Sequence, residues 1–116
     1  MERQDTDGLS ELFDALANEH RRGIIYALAL GPKSISQLAN MRGLSLPAIH
    51  KHIRVLEDAV MIRRRKSGRT NFLALEREPL KRVQAWIDQF HPYWGTETES
   101  LENYLTYLSN TPTTKE

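Results

Sequence analysis

Between Ser45 and Leu75 the chain reads SLPAIHKHIRVLEDAVMIRRRKSGRTNFLAL, and this stretch constrains the fold more than any other. Ile49, Ile53, Leu56 and Val60 recur at the i, i+4, i+7, i+11 spacing of one buried helix face. Ser45 stands where an N-cap belongs, and Pro47 falls in the first turn, where its missing N–H costs nothing. The spacing therefore predicts a helix over 45–59. Its outward side carries Ala48, His50, Lys51 and Arg54. Arg63, Arg64, Arg65, Lys66 and Arg69 then fall within seven residues, around a Ser67-Gly68 turn flanked by strand-like residues. The predicted hairpin strands are 62–66 and 71–75.

The residues before this stretch supply its scaffold. Leu9, Leu12, Phe13 and Leu16 mark a short first helix, capped by Asp7 or Ser10. Asn18 is a cap for a second helix reaching Leu30, with Ile24, Ile25, Leu28 and Ala29 facing the core and Gly31-Pro32 ending it. Lys33-Ser34-Ile35 can form a short strand, and Ser36 then caps a third helix, Gln37 to Arg42, which Gly43 stops. A short helix, a tight glycine-containing turn and a longer helix are the helix-turn-helix unit. With a basic hairpin after it, the pattern is that of a winged helix-turn-helix. The implied class is mostly α with a small β-hairpin: four helices, two strands and a last, long C-terminal helix.

Charge is segregated in a way that the formal net charge of +1 hides. Residues 1–20 carry six acids against Arg3, and residues 42–70 carry eight bases against Glu57 and Asp58. The C-terminal residues 97–116 are acidic again. A cationic centre between acidic ends fits a footprint for a polyanion. The chain has no cysteine, which excludes disulfides, thiolate metal sites and a cysteine nucleophile. No apolar run is long enough to span a membrane, and Met1 is not followed by a signal-type segment. The predicted location is cytoplasmic.

In the last third, Leu80, Ile87, Trp94, Leu101 and Leu108 keep a strict seven-residue spacing, with Val83, Phe90 and Tyr104 at the second heptad position. The register runs through His91-Pro92 and Gly95. It favours one kinked helix over about 79–108 above two separate helices, at the cost of a hydrogen bond at Pro92. So long an apolar seam exceeds what one small domain needs internally. Self-association is therefore expected through Leu9, Leu12, Phe13 and Leu16 of the first helix and Ile87, Phe90, Trp94, Leu101, Tyr104, Leu105 and Leu108 of the last; the alternative is a seam that covers this chain's own core. Residues 1–8 and 109–116 read as flexible ends flanking one domain over 9–108.

Through LFDALANEHRRGIIYAL, the helix-turn-helix itself, LPAIHKHIRVLEDA, the wing with Gly68-Arg69 and the terminal LENYL, the chain resembles the ArsR-type winged-helix repressors. It looks closest to members with LPA-x-x-KH in the recognition helix and an aromatic-rich last helix with a central Trp. The resemblance implies a homodimer formed through the first and last helices, and repression by binding operator DNA. Three departures stand out. Where metal-sensing members carry Cys-x-Cys, this chain has Leu38-Ala39-Asn40-Met41. On the last helix it offers Asp88, His91, Glu99 and Glu102 without the family's second histidine. The expectation is therefore a branch that does not sense metals, with no cofactor and an unknown effector. His50 stands where the family often has Ser, so sequence preference and its pH dependence are expected to differ from those members. Val60 stands where relatives often have the helix-ending Gly, and a β-branched residue resists positive φ, so the chain is expected to leave this helix in another way.

The residues expected on double-stranded DNA are Ser45, Pro47, Ala48, His50, Lys51 and Arg54 from the helix and Arg63, Arg64, Arg65, Lys66 and Arg69 from the wing. Lys51 and Arg54 can donate to guanine O6 and N7, Ala48 can meet a thymine methyl, and the wing cations neutralise phosphate. His52 reads as a packing or phosphate-contacting residue, His20 as solvated and His91 as structural. Trp86, Tyr93, Trp94 and Tyr104 read as interface core before a ligand pocket. No phosphate-cradling glycine loop, HExxH or nucleophile elbow is present, so no catalytic residue and no membrane role are predicted. The rival readings are a winged-helix module that meets a protein partner and a metal-responsive sensor.

Overall fold

The computed structural model describes residues 8–90 and 97–110. Its elements run in the order α1 (Leu9–Leu16), α2 (Glu19–Ala29), β1 (Lys33–Ser34), α3 (Ile35–Arg42), α4 (Leu46–Asp58), β2 (Ile62–Ser67), β3 (Thr70–Leu75), α5 (Arg77–Asp88) and α6 (Glu97–Asn110). The chain divides into two units, residues 1–83 and 84–116.

In the first unit the apolar positions of four helices and a small sheet meet in one core. Leu12 and Ala15 of α1, Ile24, Ala27 and Leu28 of α2, Leu38 and Ala39 of α3, and Ile49, Ile53 and Leu56 of α4 are buried together with Met61, Ile62 and Leu73. Each large aliphatic side chain so buried contributes about 1.5–3 kcal/mol, so this core dominates the unit's stability. Pro79 and Val83 of α5 are buried as well, and Leu80 packs against the core. The sheet is antiparallel, in the order β1-β3-β2, so the hairpin is joined by a two-residue third strand at Lys33 and Ser34.

Several boundaries differ from the sequence expectation. Leu12, expected on a surface between two copies, is 1% exposed and belongs to this chain's own core. On α2 the inward small residue is Ala27, while Ala29 is exposed. α1 begins after Gly8, which takes a left-handed conformation with no side-chain cap; Ser10 lies inside the helix and Asp7 lies outside the described residues. Asn18 does cap α2, accepting from the amides of His20 and Arg21. α3 is capped by Ser34, not Ser36: Ser34 Oγ accepts from the Gln37 amide and the Gln37 side chain accepts from the Ser34 amide. That reciprocal box satisfies two amides at once, and the end of β1 delivers Ser34 in the extended backbone a cap needs. Gly43, at φ +66, closes α3 as expected.

The second unit contains the end of α5 and α6. α5 stops at Asp88, and the Phe90 amide turns back to the Ile87 carbonyl at 3.1 Å. The expected single helix over 79–108 is thus two helices. The seam residue Trp94, with His91, Pro92, Tyr93 and Gly95, lies outside the described residues. A proline lacks the amide the helical ladder requires and disfavours helical backbone just before it; heptad spacing in a sequence is blind to that. Trp86 and Phe90 meet edge to face with ring centroids 4.9 Å apart. On α6, Leu101, Tyr104, Leu105 and Leu108 form an i, i+3, i+4, i+7 stripe, 48–59% exposed. Ser109 and Asn110, expected in a flexible tail, close this helix; residues 1–7 and 111–116 lie outside the described residues.

Candidate nucleic-acid interface

The reader helix is built from its first turn. Ser45, in extended backbone, accepts the Ala48 amide on its Oγ at 3.3 Å, and Pro47 occupies the first turn. Satisfying these otherwise orphaned groups fixes where the helix begins. Ile49, Ile53 and Leu56 are fully buried on its back. Its front presents Pro47, His50, Lys51 and Arg54, all exposed, lining one open groove together with Val55 and Asp58. Ala48 is partly buried at its edge. Asp58 places a carboxylate among these cations.

The wing follows through a tight junction. The Val60 amide donates to the Glu57 carbonyl and the Met61 amide to the Leu56 carbonyl, both at 2.9 Å. This is the Schellman ending, which requires left-handed backbone at its central residue. Val60 supplies it at φ +59, the sole non-glycine residue at positive φ among the described residues. The chain therefore leaves the helix in the way a glycine would, contrary to the expectation. Val60 is also 60% exposed and not part of the buried face. Burial of Leu56 and Met61 on either side holds the strained residue in place.

In the hairpin, Ser67 pairs with Thr70 as the last rung, so the turn is Gly68-Arg69, with Gly68 at φ +64. A two-residue hairpin loop favours glycine where φ must be positive. This sets Arg69 at the wing tip. The five wing cations then separate into two groups. Arg63 is ion-paired with Glu76, and Arg64 Nε donates to Glu57 Oε2 at 2.8 Å. Arg65, Lys66 and Arg69 are exposed and form no ion pair among the described residues. The two carboxylate partners carried no signal in the sequence, since pairing across elements leaves no periodic trace.

Behind the reader, four bases link α2, α3 and α4. Arg21 Nη1 donates to His52 Nδ1 at 3.3 Å, and Arg42 Nε donates to His20 Nδ1 at 3.2 Å. The two imidazoles lie 5.6 Å apart, centroid to centroid. Gly23 makes room for this: a Cβ there would meet the Arg42 guanidinium at 2.3 Å. Arg21 also closes the end of α1, donating from Nε to the Ala15 carbonyl at 2.7 Å and from Nη2 to the Asp14 carbonyl at 3.1 Å. Burial, then the charge of Arg21, then His20, holds the His52 pKa below the usual histidine value. His52 thus packs as expected, whereas His20 is a hydrogen-bond partner and not merely solvated. Among the described residues no group of three or more His, Asp or Glu side chains is placed to hold a metal, and no helix is long and apolar enough to cross a membrane.

Comparison with known proteins agrees with this architecture. Residues 18–63 match the family model described as bacterial regulatory protein, arsR family. The HTH-type transcriptional regulator Rv2034 of Mycobacterium tuberculosis is 32% identical over 98 residues, covering 84% of this chain and 86% of that protein. The crystal structure of the ArsR family transcriptional regulator RHA00566 is 38% identical with a TM-score of 0.69, covering 80% of this chain and 96% of that one. A solution structure from Mycobacterium bovis, described as the homodimeric winged helix-turn-helix DNA-binding domain of Mb0332, shares the fold at 21% identity and TM-score 0.61, covering 78% and 89%. The chain belongs to the arsR family of bacterial regulatory proteins and carries its winged helix-turn-helix DNA-binding domain.

Proposed function

We propose that this protein is a homodimeric repressor that binds an inverted-repeat operator. α4 enters the major groove and the wing runs along the adjacent backbone. One observation carries the reading: a helix whose back is fully buried presents His50, Lys51 and Arg54 on its exposed front, beside a wing with three uncommitted cations. A buried back fixes the helix as a rigid probe, and cations at the wing tip supply sequence-independent attraction to phosphate. Lys51 and Arg54 donate to guanine edges, His50 reads the base beside them, and Ala48 meets a thymine methyl. Ser45 and Pro47 sit at the helix N-terminus, where backbone amides face a phosphate.

Self-association is supported by the uncovered stripe of Leu101, Tyr104, Leu105 and Leu108, by exposed Phe13 and Ile87, and by the homodimer described for the Mycobacterium bovis relative. Leu9, Leu16 and Phe90 stand partly buried beside these residues in sequence. A symmetric dimer asks for half-sites about 34–36 Å apart, or a multiple of that spacing. The test is fluorescence anisotropy against DNA from upstream of the protein's own gene and a scrambled duplex, from about 50 to 200 mM salt. Preference for the native DNA supports the reading; absence of binding to either duplex at low salt overturns it.

A further inference from the structure

One wing cation is held by a carboxylate of the reader helix. The register of β2 on β3 sets Ile62 opposite Leu75 and Arg64 opposite Leu73, and directly opposed residues project to the same face of a sheet. Ile62 and Leu73 are buried, so Arg64 leaves its strand on the core side, as Lys66 does further out towards the tip, while Arg63 and Arg65 leave on the other. Of the two on the core side, Arg64 is the one that reaches a carboxylate of α4. There its Nε meets Glu57 Oε2 at 2.8 Å and its Nη2 meets Oε1 at 3.4 Å. Glu57 is partly buried in the last turn of α4, and its carbonyl accepts the Val60 amide in the Schellman junction that holds the wing. A guanidinium paired two-pronged with a carboxylate brings no net charge to a phosphate.

We propose that Glu57 sets how many phosphates the wing neutralises without itself touching DNA. By holding Arg64, it leaves the wing to neutralise phosphate through Arg65, Lys66 and Arg69. Affinity for every duplex falls by about the same factor, while the front of α4 is untouched. The proposal rests on the DNA-binding reading above. Freed from Glu57, the exposed Arg64 side chain adds one phosphate contact.

The experiment measures binding to a short random-sequence duplex across a salt series for wild type, Glu57→Gln, Arg64→Gln, the double variant and Arg65→Gln. Arg65→Gln flattens the slope of log K on log salt by about 0.9, the value of one phosphate contact, and Arg64→Gln leaves it unchanged. Glu57→Gln steepens it by about 0.9 and tightens binding about 1.4- to 5-fold, the strength of a surface pair. In the Arg64→Gln background, Glu57→Gln has no effect on the slope. Flattening by Arg64→Gln as large as that by Arg65→Gln overturns the proposal alone, since Arg64 is then already on phosphate. An equal Glu57→Gln effect in both backgrounds also overturns it, because Glu57 then acts as a bare charge. Wild type that binds no duplex at any salt overturns the DNA reading and this proposal with it.

Discussion

The amide of Met61 reaches back to the carbonyl of Leu56 at 2.9 Å, and the two side chains, both fully buried, clamp the turn between reader helix and wing. Val60 lies inside that clamp at φ +59. Left-handed backbone costs a residue with a Cβ about 1–2 kcal/mol, and glycine gives back about 0.5–1 kcal/mol of that in unfolded-state entropy. Val60→Gly is expected to stabilise the protein by about 0.5–1 kcal/mol, because the valine side chain is largely exposed and little burial is lost. Urea denaturation at fixed protein concentration checks this. A lowered midpoint would mean that the valine side chain makes a contact that outweighs the strain.

His52 makes stability depend on pH. Its folded pKa is lowered, first by burial and then by Arg21, so the unfolded chain binds its proton more readily. Stability is therefore complete above the ordinary histidine value of about 6.5 and is lost as pH falls through that value towards the lowered folded one. Protonation would also abolish the acceptor that Arg21 uses. His52→Gln, whose amide oxygen can accept from Arg21, is expected to shrink the drop in thermal midpoint between pH 7.5 and pH 5.5. An unchanged drop would assign the dependence to another group.

The stripe on α6 predicts the oligomeric state. Leu105 is 53% exposed, so Leu105→Glu costs an isolated chain little. In a dimer it would bury a charge without a partner. Sedimentation equilibrium is expected to show monomers for the variant at concentrations where wild type is dimeric. A variant as dimeric as wild type would remove this face from the interface.

The uncommitted wing cations predict the salt response. Replacing both Arg65 and Lys66 with Ala is expected to weaken binding to all duplexes about equally and to flatten the salt slope by about 1.8, two phosphate contacts' worth. A slope that stays at its wild-type value would take the wing out of the interface.

Periodicity within one element was legible, and so were most terminating residues. Asn18, Gly43 and Ser45 act where their side chains and backbone freedom suggest. Ser34 was legible too, because Ser-x-x-Gln at 34–37 is a capping box; the β-like look of Ile35 hid it. The break after Asp88 was signalled by Pro92 and outweighed by a heptad count, which registers spacing and not hydrogen bonds.

From the sequence alone came the division of the reader helix into Ile49, Ile53 and Leu56 behind and His50, Lys51 and Arg54 in front, and the basic hairpin after it. These follow from the 3.6-residue and two-residue repeats of the backbone, which act over a few positions and need no knowledge of the rest of the chain. Tertiary structure decided that Leu12 is core, that Val60 bends left-handed and that Arg64 pairs with Glu57. Each of those depends on which surface arrives from a distant element: α2 over Leu12, buried Leu56 and Met61 around Val60, α4 beside Arg64. Packing energy shared across elements overrides what any one residue would prefer by itself.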